Sequence, residues 1–258
     1  FSPYQIGEYA VTAAANFGLA GNGAVYTRPA TSATIATNAG VLDLAYSEHD
    51  ARHLVSAGAD GALRLWSLDG PSTRPLATFH EHAAEACSVD WNLVAKDTFA
   101  SSSWDGTVRV WQPARPASSL ATLVSDGTSS LATGATAACY EVRWAPHSAE
   151  LLLGASADGS ASLWEPRVGP TPTARFGHAG SGELLSVDWC KYDPFRFAAA
   201  GVDQCVRVWD VRSMGAPLAV LSGQHTLAIR SVRWSPHVAS LLLTCSYDGS
   251  ICLCDTDA

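Results

Sequence analysis

The chain has 258 residues, 47% of them hydrophobic and only 16% charged, a composition that supports a large buried core. Its net charge is -8, with only two lysines, Lys96 and Lys191; this argues against sequence-independent nucleic-acid binding, which needs a basic stripe to displace counterions. No apolar run approaches the ~20 residues of a membrane-spanning helix, and seven cysteines without framework spacing read as reduced core thiols of a cytosolic-type compartment.

Taken in order, the elements repeat. Phe1-Ser2-Pro3-Tyr4 matches Trp234-Ser235-Pro236-His237, so the chain is expected to begin at the end of a first strand. The first copy, about 1–35, has Asn22-Gly23 in place of an Asp-Gly turn and lacks its Trp. Copies at about 36–78, 79–120, 121–175, 176–221 and 222–258 each carry a turn Asp: Asp60, Asp105, Asp158, Asp203 and Asp248, spaced 45, 53, 45 and 45 apart. Six residues beyond each stands Trp66, Trp111, Trp164 or Trp209, with Cys254 in the last copy. A second anchor keeps the same rhythm at Phe1, Tyr46, Trp91, Trp144, Trp189 and Trp234. The 53-residue step places eight extra residues between Trp111 and Trp144, where Pro113–Pro116 and a small-residue run from Ser125 to Ala138 read as a loop.

The last copy reads most clearly. Ile229–Trp234 alternates as a strand, Ser235-Pro236-His237 turns, and Leu241–Ser246 is an apolar strand. Tyr247-Asp248-Gly249 turns again before Ser250–Cys254. Short strands between Asp-Gly and Ser-Pro turns, without helical periodicity, give an all-β chain. A 45-residue unit ending in a Trp-Asp-like dipeptide is the signature of a WD-repeat β-propeller. Residues 1–258 are read as one propeller domain, because no unit has a self-sufficient core. The first unit lacks its start and the last lacks its outer strand, so the chain reads as part of a larger propeller.

His82, Ser101 and Asp105 resemble a hydrolase triad, but similar sets recur at the repeat spacing: His178 with Asp203 and Trp209, and His225 with Thr244 and Asp248. A catalytic triad has no reason to be copied around a fold, whereas a buried hydrogen-bond network does. His82, Ser101, Asp105 and Trp111 form the one full set; the 138–164 unit has Gly154 at the Ser position and the next has Ala199. With no phosphate loop, nucleophile elbow, paired carboxylates or ligand cluster, neither an enzyme, a cofactor nor a metal is expected; Cys252-x-Cys254 has no second ligand pair. Recognition is expected where loops enter the innermost strands. The candidates there are the acids Asp43, Glu85, Glu141 and Glu183, the apolar or aromatic Trp104, Tyr140, Leu185 and Tyr247, and the cation Arg230. Such a set cradles a peptide with basic and apolar side chains.

Beyond the generic repeat, several stretches are shared with one family. They are Phe1-Ser2-Pro3-Tyr4, Glu81-His82, Cys87-Ser88-Val89-Asp90-Trp91, Ser103-Trp104-Asp105 and, most specific, Asp188-Trp189-Cys190-Lys191-Tyr192. His225–Arg230, Ser235-Pro236, Ala239-Ser240 and Cys245-Ser246-Tyr247-Asp248 complete them. In this wording the chain resembles the peroxisomal receptors for the type 2 targeting signal. The resemblance implies a seven-bladed ring, with the seventh blade and an N-terminal strand missing from this chain. It implies a cytosolic receptor that cycles to the peroxisome. Its cargo would carry an N-terminal nonapeptide, Arg/Lys-Leu-x5-His/Gln-Leu, bound as an amphipathic helix jointly with a co-receptor and delivered to the docking complex. On that reading Glu85 and Glu183 pair the peptide's basic residue, and Trp104, Tyr140, Leu185 and Tyr247 receive its apolar face. The rival expectation is a generic WD-repeat scaffold in a multiprotein complex.

Overall fold

The computed structural model describes residues 2, 4, 8–14, 22–28, 34–69, 74–125, 137–177 and 182–257; Phe1, Pro3, His178 and most of the Ser125–Ala138 run lie outside them. The described residues form strands, turns and connecting segments, with no helix among them. The chain divides into two compact units, Phe1–Thr122 and Leu123–Ala258.

The first unit opens with an antiparallel sheet of β1 (Tyr9–Ala14), β2 (Gly23–Arg28) and β3 (Thr34–Thr37). A four-stranded meander follows: β4 (Val41–Tyr46), β5 (His53–Gly58), β6 (Leu63–Ser67) and β7 (Ala77–Phe79). Next come β8 (Ala86–Trp91), β9 (Phe99–Ser103) and β10 (Thr107–Trp111), with β11 (Ala121–Val124) beginning at the unit's last residues. The second unit holds the meander β12 (Cys139–Trp144), β13 (Leu152–Ser156), β14 (Ser160–Trp164) and β15 (Ala174–Gly177). Then follow β16 (Leu184–Trp189), β17 (Arg196–Gly201), β18 (Val206–Asp210) and β19 (Ala219–Leu221), and last β20 (Ile229–Trp234), β21 (Leu241–Ser246) and β22 (Ile251–Asp255).

Each sheet is too thin to bury its own faces, so within each unit the cores lie between successive sheets. Val55, Leu63, Phe79, Val89, Trp91, Phe99 and Trp111 pack the β4–β7 sheet on β8–β10, with Phe79 edge-on to Phe99 at 5.2 Å. In the second unit Leu153, Leu163 and Phe176 meet Val187, Trp189, Phe197 and Trp209, and Phe176 stands edge-on to Phe197 at 5.0 Å. The two anchors of the repeat are therefore core residues: Trp111, Trp164 and Trp189 are fully buried.

The Asp-Gly turns exist because one residue must adopt a left-handed conformation. Gly61, Gly106, Gly159 and Gly249 take it with φ from 77 to 83°. In the fifth unit Gln204 stands at that place and takes φ 66°.

Candidate functional site

The positions that could contact a ligand are fixed by a device repeated in five of the sheets. The residue ahead of the innermost strand accepts a main-chain hydrogen bond from the residue that opens the turn after the second strand. In the first unit Ala59 N donates to Gly40 O at 2.8 Å and Trp104 N to Glu85 O at 3.1 Å. In the second, Ala157 N donates to Ala138 O (2.9 Å), Val202 N to Glu183 O (3.0 Å) and Tyr247 N to Ala228 O (3.1 Å). The backbone is the same each time while the side chains differ, and that is where recognition can vary on a constant scaffold. Trp104 is 47% and Tyr247 63% exposed, large apolar surfaces left in water beside the strand entrances. Val202, backbone partner of Glu183 and itself exposed, was not singled out from the sequence; its place 45 residues after Ala157 and before Tyr247 was the available signal.

A second repeated feature sits two residues further on. The pairing register shifts between Val41 and Asp43, Ala86 and Ser88, Cys139 and Glu141, Leu184 and Ser186, and Ile229 and Ser231. The extra residue of each bulge is Leu42, Cys87, Tyr140, Leu185 or Arg230. A bulge releases one residue from the ladder and re-aims its side chain, so three of the expected recognition residues, Tyr140, Leu185 and Arg230, owe their placement to it. The Tyr140 hydroxyl donates to Glu183 Oε2 at 2.9 Å, bringing two candidates together.

Asp43 and Glu141 are used within the fold. Asp43 Oδ2 accepts from Ser88 Oγ and Val89 N, each at 3.0 Å, and so ties β4 to β8. Glu141, 5% exposed, ties β12 to β16 through Ser186 Oγ (2.6 Å) and Val187 N (3.0 Å). Its Oε1 is 2.5 Å from both Arg143 and Arg233, which carries the tie to β20. Burial by itself would raise the Glu141 carboxyl; the charges of Arg233 and Arg143 and the hydrogen bonds from Arg233 and Ser186 outweigh it and hold the group well below the usual carboxylate range. The position three before each Trp or Tyr anchor reads Asp43, Ser88, Glu141, Ser186, Ser231, and an acid followed 45 residues on by a serine, at Asp43–Ser88 and Glu141–Ser186, was the sequence sign of the tie.

The His/Ser/Asp sets form hydrogen-bond networks within their repeats. His82 Nε2 lies 2.7 Å from Ser101 Oγ, which accepts from Trp111 Nε1 at 2.8 Å, while His82 Nδ1 lies 3.0 Å from Asp105 Oδ2. Ser101 is fully buried and its oxygen is shared between the two ring partners. His225 lies 2.8 Å from Thr244 Oγ1, 2.9 Å from Ser250 Oγ and 3.4 Å from Asp248, and Thr244 Oγ1 is 3.9 Å from Cys254 Sγ at the Trp position. His178 lies outside the described residues. Its expected partner Asp203 is paired with Arg207 at 2.5 Å, and Trp209 is buried. Arg64 likewise takes Asp60, and Arg175 takes Asp158. The turn Asp thus pairs either with a His from the preceding loop or with an Arg on a strand of its own sheet. Where Gly154 replaces the Ser, the Trp164 ring lies over it and Trp164 Nε1 donates instead to Val124 O at 3.0 Å.

Among the described residues no group of three or more His, Cys, Asp or Glu side chains could hold a metal ion, and no helix is long and apolar enough to cross a membrane. The family description "WD domain, G-beta repeat" matches residues 31–67, 73–112, 170–210 and 215–255, more than half of the chain. The peroxisomal targeting signal 2 receptor of Saccharomyces cerevisiae is 31% identical over 292 residues, covering 96% of this chain and 77% of the relative. The receptors of the same name from Mus musculus and Homo sapiens are 35% and 33% identical over 258 residues, each covering 97% of the chain and 77% and 76% of the relative. Repeat, sheets and relatives agree: this is a WD-repeat β-propeller chain, and it belongs to the peroxin-7 family of peroxisomal targeting signal 2 receptors.

Proposed function

We propose that this chain is the peptide-reading part of a peroxisomal import receptor, non-enzymatic, and that all six repeat units belong to one propeller. Its ligand is the N-terminal nonapeptide Arg/Lys-Leu-x5-His/Gln-Leu of cargo proteins, bound together with a co-receptor. The receptor collects cargo in the cytosol, delivers it to the peroxisomal docking complex and cycles back. The observation that carries this reading is the pattern of side chains on an invariant backbone device: Glu85 beside Trp104, Glu183 beside Val202 and Tyr140, and Tyr247 at the last entrance. Carboxylates next to exposed apolar surface suit an amphipathic peptide whose cation is read by the acid and whose leucines cover the rings. Glu85 and Glu183 take the basic residue; Trp104, Tyr140, Leu185 and Tyr247 take the apolar face. Asp43 and Glu141 act one step behind, holding the strands that present these groups. Titration of the full protein and co-receptor with this nonapeptide tests the reading. Glu85→Lys and Glu183→Lys each lose binding by tenfold or more, on the order of 1.4 kcal/mol, with an unchanged circular-dichroism melt. A peptide with Arg→Glu bound as well as the original refutes it.

A further inference from the structure

The two acids assigned to the peptide's cation stand at equivalent places, yet only one of them is held. In the first unit the bulge residue 43 positions before Glu85 is Leu42; in the second the bulge residue 43 positions before Glu183 is Tyr140. Leu42 has no hydroxyl to offer, whereas Tyr140 donates to Glu183 Oε2 at 2.9 Å. Both ends of this contact are anchored. Tyr140 is followed directly by Glu141, whose carboxylate is locked by Arg143, Arg233, Ser186 and Val187. Glu183 is fixed by the bond its carbonyl accepts from Val202, and β16 begins at the next residue. The same buried Glu141 joins β12 to β16, so it sets the distance between the ring that donates and the acid that accepts.

We infer that Tyr140 is a positioning residue for cation recognition: its hydroxyl holds the Glu183 carboxylate by one oxygen and presents the other to the peptide's basic residue. An exposed glutamate samples several rotamers and loses them on binding a cation; one already held loses less. The held acid accepts one N–H end-on, from an ammonium or a guanidinium alike, and does not favour the two-pronged grip that distinguishes arginine. This inference rests on the receptor reading above and adds to it the role of one hydroxyl.

The test is a double-mutant cycle on the full protein with its co-receptor, titrated with fluorescent nonapeptides of the form Arg-Leu-x5-His-Leu and their Arg→Lys and Arg→Gln versions. Tyr140→Phe keeps the ring and removes the donor. The expected result is about 2- to 10-fold weaker binding of the Arg and Lys peptides, the range for one ordered side chain, and no change for the Gln peptide. In a Glu183→Gln background Tyr140→Phe adds nothing, because the carboxylate it orients is gone. An equal loss in both backgrounds, or an equal loss with the Gln peptide, shows that Tyr140 acts by direct contact and overturns the inference while leaving the receptor reading in place. Wild-type affinity in Glu183→Gln removes Glu183 from the site, and with it this role for Tyr140. Failure of the unaltered protein to prefer the Arg peptide over the Gln peptide overturns the receptor reading itself.

Discussion

Gln204 occupies a left-handed position, φ 66°, that glycine fills in the equivalent turns at Gly61, Gly106, Gly159 and Gly249. A side chain there crowds the following carbonyl at a cost of about 1–2 kcal/mol, partly offset by the larger unfolded-state entropy of glycine. Gln204→Gly is accordingly expected to raise stability by up to about 1 kcal/mol in urea unfolding. The opposite logic applies at Gly154, where an added Cβ would lie 2.8 Å from Cζ3 of the fully buried Trp164 and 3.2 Å from Cys139 Sγ. Gly154→Ser should destabilise by about 1–3 kcal/mol through overpacking; unchanged stability would mean that the ring swings to the serine-bonded pose of Trp66 and Trp111. The sequence displays both positions as departures from the repeat. It does not tell which departure is strained and which is relieved, because that depends on the φ of one residue and on where a neighbouring indole lies.

At the scale of strands, the carboxylate of Asp43 binds β4 to β8 and that of Glu141 binds β12 to β16. Glu141 is ionised far below its unfolded value of 4.5, so it contributes stability that is fully present above about pH 4.5 and is lost as pH falls through the folded value. Asp105 follows the same sign: burial opposes ionisation, but the hydrogen bond and charge of His82 prevail and lower its pKa. Acid unfolding followed by tryptophan fluorescence should therefore show stability falling steadily below pH 4.5. Glu141→Gln, which leaves two arginines facing a neutral amide, should cost about 3 kcal/mol at pH 7 and flatten that acid limb. Strand positions were legible from alternation and from Asp-Gly turns. The bulges at Leu42, Cys87, Tyr140, Leu185 and Arg230 were not, because a register shift is a property of two paired strands. Nor was the use of Asp43 and Glu141: from the chain alone they are acids near a strand entrance, and only packing brings Ser88 and Ser186 within reach.

For the whole chain, a net charge of -8 with acids at two strand entrances would make capture of the proposed basic peptide electrostatically assisted. Raising ionic strength shortens the screening length from about 10 Å at 0.1 M to about 3 Å at 1 M. Association of the nonapeptide should slow several-fold across that range, with a smaller change in its dissociation, as stopped-flow fluorescence can measure. The 45-residue period and its turn residues by themselves determined the all-β class and the identity of the buried tryptophans, since a repeated unit can be stable only by burying the same positions against its neighbours. It also marked His82, Ser101 and Asp105 as one copy of a recurring set. Tertiary structure decided what each polar residue does. Glu141 and Glu183 are both glutamates near a strand entrance in the sequence; one is locked among two arginines and a serine, and the other stays in water under the hydroxyl of Tyr140. Burial and the distance to a partner separate them, and both arise only when strands that are about 45 residues apart in sequence come side by side.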